Sequence, residues 1–449
     1  MSEKLLKILE YSIGKATKSG ADMADAIIYD ADELAVSKRL GKIESIENSK
    51  SKAIGLRVMI KNNDGIAQAI VSSEDISRES LDNIITKAIS MAKAAPADKY
   101  TALAASDLLA TNIVDLDLFD DSHIDQQDLI NWSSESEDEA LSIKGINNSD
   151  GAGASYSRTN IALATSEGFC QSYSTSLFSN SVSVVAGKGT NKETDYDYTV
   201  ARHISDMISP KILGMNAGKN TMRKLNPRSI KTCHAPVVYD PRQSKSLMSS
   251  LASAINGSAV SKGTTFLLDK MGTKIFKDKI NIFDNPLIIR GIGSHPFDGE
   301  GIKVQKNVII EEGKLSSWLL DTYTANKLGL KSTGNATRST SSIAYPASSN
   351  FYMEAGDISV SELIADIKQG LYVTDTFGMG INSVTGDYSQ GAAGFWIENG
   401  KIEYPVAQIT IAGNLLDMFS NLTPANDLEF RYSINCPTVR IERMVIAGE

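Results

Sequence analysis

The sequence predicts an α+β protein with an N-terminal α+β domain over residues 1–228 and a C-terminal domain rich in antiparallel strands over residues 229–449. The chain has 449 residues, enough for more than one domain at about 150 residues each. Before residue 228, segments with helical spacing of apolar residues alternate with strand-like segments. After residue 280, short strands separated by glycine turns predominate. These three observations predict the fold class.

The N-terminal half begins with a predicted helix over residues 3–19, because its leucines and isoleucines recur at helical spacing and Gly20 follows as a stop. A second helix is predicted over 77–94, beginning near Ser77. Strands of a meander are predicted between the two helices, at residues 26–29, 35–40, 53–60 and 67–72. Residues 95–121 are predicted to be a connector, followed by an acidic helix over 125–144. A turn over 147–153 and antiparallel strands at 161–164, 171–176 and 181–186 complete this half.

The C-terminal half begins with a predicted strand at 235–239 and a helix with clear start signals. Asp240 is suited to cap this helix, and Pro241 occupies the first helical position, where a missing N–H is harmless. Its apolar stripe contains Leu247 and Leu251, and Gly257 is predicted to end it. Strand hairpins are predicted at 308–315 and at 395–404, the latter with an Asn-Gly turn, and a further helix at 359–371.

Composition excludes several function classes. The net charge is −9, whereas a nucleic-acid-binding protein normally needs a basic surface, so no nucleic-acid partner is expected. The first 20 residues lack a signal-like apolar region, and no run approaches the ~18 apolar residues of a membrane span. We therefore expect a cytoplasmic protein without a membrane partner. Cys170, Cys233 and Cys436 form no CxxC pair, which argues against a disulfide framework or a zinc ribbon.

Candidate metal ligands are sparse. None of the four histidines is followed by Glu or lies within five residues of another, so neither HExxH nor HExxxH occurs. His123 lies among several aspartates, which we interpret as an acidic loop leading into a helix N-terminus, with a metal site as the alternative. Adjacent Cys233 and His234 are interpreted as structural, because neighbours in a strand seldom point at each other.

Three further motifs have both a structural and a functional interpretation. Residues 214–220 resemble a phosphate-binding loop but have one residue too few between the glycines, so nucleotide binding is rejected. Ser389 lies in a GxSxG-like turn that is one residue too long for a nucleophile elbow. Asp298 and Glu300 stand two residues apart between glycines. They are interpreted as capping N–H groups at a sharp bend, with ligand binding as the alternative.

The C-terminal half resembles the PmbA (TldE) branch of the TldD/PmbA family of peptidase-related proteins. The matching segments include Pro296-Phe297-Asp298-Gly299-Glu300-Gly301, Ser332-Thr333-Gly334-Asn335, Asn382-Ser383-Val384-Thr385-Gly386-Asp387-Tyr388-Ser389, Ile411-Ala412-Gly413-Asn414-Leu415 and Asn421-Leu422-Thr423-Pro424-Ala425-Asn426-Asp427. The resemblance implies a two-domain α+β protein that pairs with a TldD-type zinc protease subunit in the cytoplasm. In that family TldD holds zinc through HExxxH on a helix and a later Cys.

Aligning the two branches places the zinc motif at Met248, Ser249 and Ser253, and these side chains provide neither ligands nor a general base. Cys436 lies downstream of the position expected for the ligand Cys and is not assigned that role. The resemblance therefore implies no catalytic residue, no metal and no cofactor on this chain, with zinc on the partner only.

The predicted function is that of a non-catalytic, zinc-free subunit that shapes a cleft for unfolded peptides in peptide maturation or protein degradation. Candidate contacts to peptide or partner are Asp298, Glu300, Thr385, Asp387 and Tyr388. The expected partners are a TldD-type subunit and an unfolded peptide, with a homodimer when the chain is alone. The alternatives are a regulatory binding protein of the DNA gyrase modulator type, or a free-standing hydrolase that uses Ser389 or Cys233.

Overall fold

The computed structural model of the chain describes residues 2–189 and 191–448, in which helices and sheets are mixed as an α+β fold. The helices are α1 Ser2–Lys18, α2 Arg78–Ala94, α3 Gln126–Ser142, α4 Pro210–Arg223, α5 Pro241–Ala254, α6 Gly257–Lys262, α7 Thr322–Leu328, α8 Val360–Ile364 and α9 Leu415–Ser420. The strands of the first half are β1 Met23–Arg39, β2 Lys42–Asn62, β3 Gly65–Ser73, β4 Ala97–Asp98, β5 Ile146–Thr165, β6 Cys170–Ala186 and β7 Glu193–Ala201. Those of the second half are β8 Cys233–Tyr239, β9 Ile282–Asp284, β10 Asn307–Glu311, β11 Lys314–Leu315, β12 Ala336–Thr337, β13 Tyr345–Pro346, β14 Phe351–Met353, β15 Gln369–Phe377, β16 Asp387–Glu398, β17 Lys401–Asn414, β18 Leu422–Pro424, β19 Ile434–Asn435 and β20 Val439–Ala447.

The N-terminal half is built on one antiparallel sheet with the strand order β4-β3-β2-β1-β5-β6-β7. Because successive residues of a strand point to opposite faces, β1 contributes to two cores. Ala26 and Ile28 pack with residues of α1 and α2, whereas Ile27 packs with Phe297 of the C-terminal half. Helices therefore cover one face of the sheet, and the C-terminal half covers part of the other.

One edge of this sheet is only partly paired. Strand β3 pairs with β2 from Ile54 to Asn62. In the part of the chain that the structure describes, no strand pairs with the outer edge of β2 before Ile54. The exposed side chains along that segment include Lys42 and Lys50.

The C-terminal half places helix α5 between its two larger sheets. These have the orders β17-β16-β15-β8-β20-β18 and β11-β10-β9-β14-β19. Helix α5 contacts β8 and β15 of the first and β14 and β19 of the second. Most pairings are antiparallel, as predicted, but β8–β15 and β14–β19 are parallel. One side of the helix thus packs into the main hydrophobic core, to which it contributes Leu247, Met248 and Leu251.

Several predicted elements are confirmed with their local chemistry. The helices at 3–19, 77–94 and 125–144 appear as α1, α2 and α3. Ser77 caps α2, accepting a hydrogen bond from the backbone N–H of Ser80 at 3.3 Å. Asn399 and Gly400 form the β16–β17 turn with φ of 48° and 76°, the left-handed conformations that a two-residue hairpin requires.

Other predictions about local structure were wrong. Residues 147–153 are not a turn but part of β5, which accommodates the glycine there through two irregularities in its pairing with β6. The strand segments predicted at 26–29 and 35–40 are one strand, β1, and those at 171–176 and 181–186 are one strand, β6. The helix predicted over 359–371 ends at Ile364, because residues from Gln369 pair in β15.

Gly257 also has a different role from the one predicted. Helix α5 ends at Ala254, and Gly257 instead begins α6. A Cβ at Gly257 would lie 2.5 Å from Thr324 Oγ1 and 2.9 Å from the carbonyl oxygen of Leu319. Gly257 is therefore required because the chain at α7 approaches it closely, not because it ends a helix.

Among the described helices, none combines the length and the apolar character that crossing a lipid bilayer requires.

Candidate functional site

The first turn of α5 is fixed by its own sequence. Asp240 accepts a hydrogen bond from the backbone N–H of Gln243 at 3.0 Å, and Pro241 follows at the first helical position, as predicted. Burial raises the pKa of Asp240 to about 6, with the charge of Arg242 opposing the shift. These interactions fix where α5 begins, and therefore where Met248, Ser249 and Ser253 lie along it.

The three zinc-motif positions do not converge on one point. Met248 is fully buried in the core, Ser249 donates to the carbonyl of Lys245 at 3.0 Å, and Ser253 is exposed. A thioether in the core and two hydroxyls outside it do not fit zinc, which takes imidazole, thiolate or carboxylate ligands.

No alternative ligand set replaces them within residues 2–189 and 191–448, where no group of three or more His, Cys, Asp or Glu side chains could hold a metal ion. Cys436 is buried beside α5, and Ser244 donates to its carbonyl at 3.3 Å. Burial raises the pKa of the Cys436 thiol to about 12, so the thiolate is strongly disfavoured.

The first turns of α5 contact β7, the edge strand of the N-terminal sheet. Arg242 donates to Asp195 Oδ1 at 2.8 Å and to the carbonyl of Tyr196 at 3.1 Å. Lys245 donates to the hydroxyl of Tyr198 at 3.2 Å, and its Nζ lies 3.8 Å from the ring centre of Tyr432. The helix that would carry zinc in a catalytic relative is here held against the N-terminal sheet by cations.

Asp195 is the centre of this contact. Lys224 Nζ lies 2.9 Å from Asp195 and 2.7 Å from Asp375. Burial would raise the pKa of Asp195, but Arg242 and Lys224 outweigh it and hold the pKa below its ordinary value. The two halves of the chain therefore meet through a network of compensated charges.

The segment 382–389 places two of the predicted contacts at the surface. Thr385 and Asp387 are exposed. Thr385 Oγ1 donates to Asp387 Oδ2 at 2.6 Å, and Asn414 donates to the Thr385 carbonyl at 3.0 Å. Tyr388 lies beneath them, buried, with the hydroxyl of Tyr239 3.3 Å from its own. Thr385 and Asp387 are accessible to a partner or peptide as the chain stands, whereas Tyr388 is not.

Asp298 and Glu300 are also buried. Asp298 Oδ1 accepts from the N–H groups of Glu300 and Ile302 at 2.9 Å. Glu300 accepts from the backbone N–H of Thr322 at 2.8 Å. Burial raises the pKa of both carboxyls, and Glu300 adds to the effect on Asp298, as Asp321 does to that on Glu300. Both acids organise the bend by accepting N–H groups, which is the structural interpretation given for them above.

Three family models match the chain: PmbA/TldA metallopeptidase domain 1 over residues 24–92, the central domain over 119–225 and the C-terminal domain over 232–448. The chain belongs to the PmbA/TldD metallopeptidase family. Relatives that match nearly the whole chain at 35–36% identity are PmbA proteins, which supports the PmbA branch that the sequence motifs predicted.

Among curated relatives of this family, the metalloprotease PmbA of Escherichia coli O157:H7 is 36% identical over 99% of this chain and 97% of its own length. A PmbA homologue of Haemophilus influenzae is 35% identical over 99% of this chain and 96% of its own. A Bacteroides thetaiotaomicron structure described as a modulator of DNA gyrase has a TM-score of 0.89 at 27% identity and covers 99% of this chain and 98% of its own. TldE from Thermococcus kodakarensis has a TM-score of 0.85 at 22% identity, covering 98% of this chain and 100% of its own, which shows the shared fold.

The remaining motifs have structural roles in this PmbA-family chain. His123 is exposed, and the aspartate after it, Asp125, caps α3. The glycine-rich segment at 214–220 lies inside α4, where a Cβ at Gly214 would come within 2.3 Å of the Ser136 carbonyl oxygen. Ser389 is exposed on β16, and its N–H donates to the Gly380 carbonyl at 2.6 Å.

Sequence reasoning missed three residues that join the two halves of this family member. Asp25 in β1 bridges Arg57 in β2 and Arg338, and all three are buried. The sequence carries one available signal, an arginine inside the otherwise apolar strand segment 54–60. A charge in such a position requires a buried partner, but nothing local identifies which one.

Proposed function

We propose that this chain is the zinc-free, non-catalytic subunit of a cytoplasmic TldD/TldE-type metalloprotease complex. Family membership supports a role in proteolysis. The observation that carries the proposal is the position of the α5 side chains. Met248 lies in the main hydrophobic core, and Ser249 and Ser253 lie outside it. Since these groups are not zinc ligands, the chemistry belongs to a TldD-type partner that bears HExxxH.

The contribution of this subunit is to help enclose an unfolded peptide for its partner. Binding energy supplied away from the reacting bond can orient a substrate for cleavage elsewhere. The exposed Thr385 and Asp387 lie on a segment that also exposes Val384, and Phe377 and Met379 project nearby in the chain. An exposed apolar group of this kind, bordered by polar side chains, suits contact with a protein or peptide.

The test compares the isolated chain, an isolated TldD-type subunit and a mixture of the two. We expect the isolated chain to contain no stoichiometric zinc by elemental analysis and to cleave no casein or unfolded reporter peptide. The mixture should co-elute in size-exclusion chromatography and cleave the peptide, and substituting the HExxxH glutamate of the partner should abolish cleavage. Cleavage by the isolated chain would overturn the proposal.

A regulatory role is the second candidate, because one structural neighbour at 27% identity is described as a modulator of DNA gyrase. The net charge of −9 disfavours direct contact with DNA. A salt-dependent mobility shift of duplex DNA by this chain alone would favour that candidate. A free-standing hydrolase is the third, and loss of an activity in Ser389→Ala or Cys233→Ala would favour it.

A further inference from the structure

A cavity of about 210 Å³ lies where the N-terminal sheet meets the C-terminal half. We call it the junction cavity and define it by Tyr29 and Tyr173 from the sheet and by His295, Thr337, Arg338 and Ser348 from the C-terminal half. One water occupies roughly 30 Å³ in the liquid, so the cavity has room for a small organic molecule. A more open groove of about 420 Å³ adjoins it at Tyr173, which lines both.

Hydroxyl groups in these walls are free to donate hydrogen bonds. Tyr173, Thr337 and Ser348 are each partly exposed, and none of their hydroxyls has a hydrogen-bond partner among residues 2–189 and 191–448. Ile27 and Leu163 supply an apolar portion of the wall. Pockets that bind small molecules combine apolar surface with a few polar groups that fix the orientation of the ligand.

Arg338 places an incompletely compensated positive charge in the wall. Its side chain is fully buried and pairs with Asp25. Its Nε and Nη2 have no hydrogen-bond partner in the described part of the chain. Asp25 also accepts from Arg57, so one carboxylate serves two guanidinium groups. Because a buried charge needs a compensating partner, this arrangement favours an additional anion close by.

Arg202 adds a second positive charge beside the cavity. It donates to the backbone carbonyls of Ser176 and Ile292, and its Nε is buried without a partner among the described residues. Burial raises the pKa of Tyr173, and the charge of Arg202 opposes that shift. Burial lowers the pKa of His295 to about 4, and Arg202 acts in the same direction. The charge of Arg202 therefore reaches two residues of the cavity wall.

The charge of Arg338 reaches the sheet side of the cavity in the same way. Burial raises the pKa of Tyr29, and the charge of Arg338 opposes that shift. The Tyr29 hydroxyl donates to the Arg338 carbonyl at 2.9 Å, which holds the chain at Arg338 against the sheet. Positive charge thus acts on wall residues from both halves, which disfavours a cationic ligand.

Asp298 is a carboxyl group in the same walls. Its oxygens accept from the backbone N–H groups of Glu300, Ile302 and Ala336. Burial raises its pKa well above the ordinary value, and the neighbouring Glu300 adds to the shift, so the uncharged form is favoured. Asp298 therefore does little to compensate the two arginines, and its acceptor positions are already used.

We propose that the junction cavity binds a small organic carboxylate. The carboxylate accepts hydrogen bonds from the wall hydroxyls, and its short apolar body lies against Ile27 and Leu163. The charges of the two arginines attract it, and this attraction does not require contact with their enclosed nitrogens, because Coulomb interactions in an enclosed site act over several ångströms. A neutral amide of the same shape lacks the charge, and inorganic phosphate lacks the apolar body. This binding role is independent of the zinc-free role of α5.

The experiment titrates the full chain with butyrate, butyramide, butylamine and inorganic phosphate at neutral pH and constant ionic strength. Isothermal calorimetry and ligand-observed NMR measure binding. We expect saturable binding of butyrate at one site and at least tenfold weaker binding of the other three probes. The midpoint of thermal unfolding should rise with butyrate concentration, because a ligand that binds only the folded chain stabilises it.

Substitutions in the wall test the assignment. Arg338→Gln should abolish butyrate binding. The double variant Thr337→Val, Ser348→Ala should weaken it at least tenfold, because hydrogen bonds to a charged group are stronger than those between neutral groups. The matched control is Ser341→Ala, at an exposed serine of the same segment outside the cavity, which should bind butyrate as the wild type does.

Thermal unfolding without ligand establishes that each variant is folded. If Arg338→Gln does not fold, the comparison of the double variant with Ser341→Ala decides alone. The proposal would be overturned by an absence of saturable butyrate binding, by equal binding of butyramide, by tighter binding of phosphate, or by a double variant that binds butyrate as tightly as Ser341→Ala does.

Discussion

Asp25 of β1 and Arg338 of the C-terminal half form an ion pair in which both side chains are almost wholly buried. Arg57 of β2 donates through Nε to the same carboxylate at 2.8 Å. Burial alone would raise the pKa of Asp25, but the charges of Arg338 and Arg57 hold it below its ordinary value. One carboxylate therefore balances two guanidinium groups, one from each half of the chain.

Replacing that carboxylate should be costly. We expect Asp25→Asn to lower the free energy of unfolding by about 3–5 kcal/mol, because two buried guanidinium groups lose their shared counter-charge. Urea denaturation measures the change. Asp32→Asn is the matched control on the same strand, since its pair with Lys50 at 3.3 Å is exposed and should contribute less than about 1 kcal/mol. Equal effects of the two substitutions would contradict the assigned role of Asp25.

His295 should make stability depend on acidity in a defined window. Its folded-state pKa is lowered to about 4 by burial and Arg202, whereas an unfolded histidine titrates near about 6.5. Between these values the unfolded chain binds a proton that the folded chain does not, so stability falls as pH drops from about 6.5 to about 4. Above about 6.5 this group contributes no dependence.

Urea denaturation at about pH 7 and about pH 5 tests this window. From about pH 7 to about pH 5, the free energy of unfolding of the wild type should fall by up to about 2 kcal/mol more than that of His295→Gln. His123→Gln, at an exposed histidine, should follow the wild type. A His295→Gln profile parallel to the wild type would show that His295 does not resist protonation in the folded chain.

Restoring the zinc motif should not restore a zinc site. The triple variant Met248→His, Ser249→Glu, Ser253→His points its first imidazole into the main core, so we expect no stoichiometric zinc and no peptide cleavage. Met248→His alone should lower the free energy of unfolding by about 2–4 kcal/mol, since it buries a polar ring in place of a fitted apolar side chain.

Ser253→His is the control for that variant, because Ser253 is exposed and a surface change should alter stability by about 0.5 kcal/mol or less. Elemental analysis, peptide cleavage and urea denaturation provide the three readouts. Stoichiometric zinc together with cleavage in the triple variant would show that α5 can present a ligand set after all.

The exposed pair Thr385 and Asp387 should matter to the complex more than to the fold. Asp387→Ala removes an acceptor from Thr385 at the surface, so we expect a loss of about 1 kcal/mol or less in the free energy of unfolding. Cleavage by the mixture with a TldD-type subunit should fall several-fold. Asp357→Ala, at another exposed carboxylate of this half, should leave cleavage unchanged, and similar cleavage by both variants would remove Asp387 from the contact surface.

Local signals in the sequence were enough to predict the elements whose chemistry is local. Ser77 and Asp240 cap helices as predicted, and Asn399-Gly400 forms a hairpin turn, because each depends on neighbours a few residues away. The turn predicted at 147–153 failed because pairing with β6 overrides the local preference of glycine and asparagine. Propensity is a weak guide where tertiary pairing competes with it.

The candidate site could also be predicted only where its features depend on local sequence. The occupants of the zinc-motif positions follow from sequence alone, but the burial of Met248 and the exposure of Ser253 depend on how two sheets enclose α5. The pairing of Asp25 with two arginines could not be predicted, since Arg57 and Arg338 lie 32 and 313 positions away from it in the chain. The cavity lined by Tyr173, His295 and Phe297 likewise exists only because the two halves meet.

The unpaired stretch of β2 before Ile54 affects whether two copies of this chain can associate through their sheet edges. Free backbone N–H and C=O groups along a strand offer a template on which another strand can add. Charged side chains of both signs line that template, among them Lys42, Glu44, Glu47 and Lys50, and a strand added there would take part of their hydration away. The long hairpin can therefore expose an unpaired strand edge to water while its charged side chains oppose fibre-like growth from one molecule to the next.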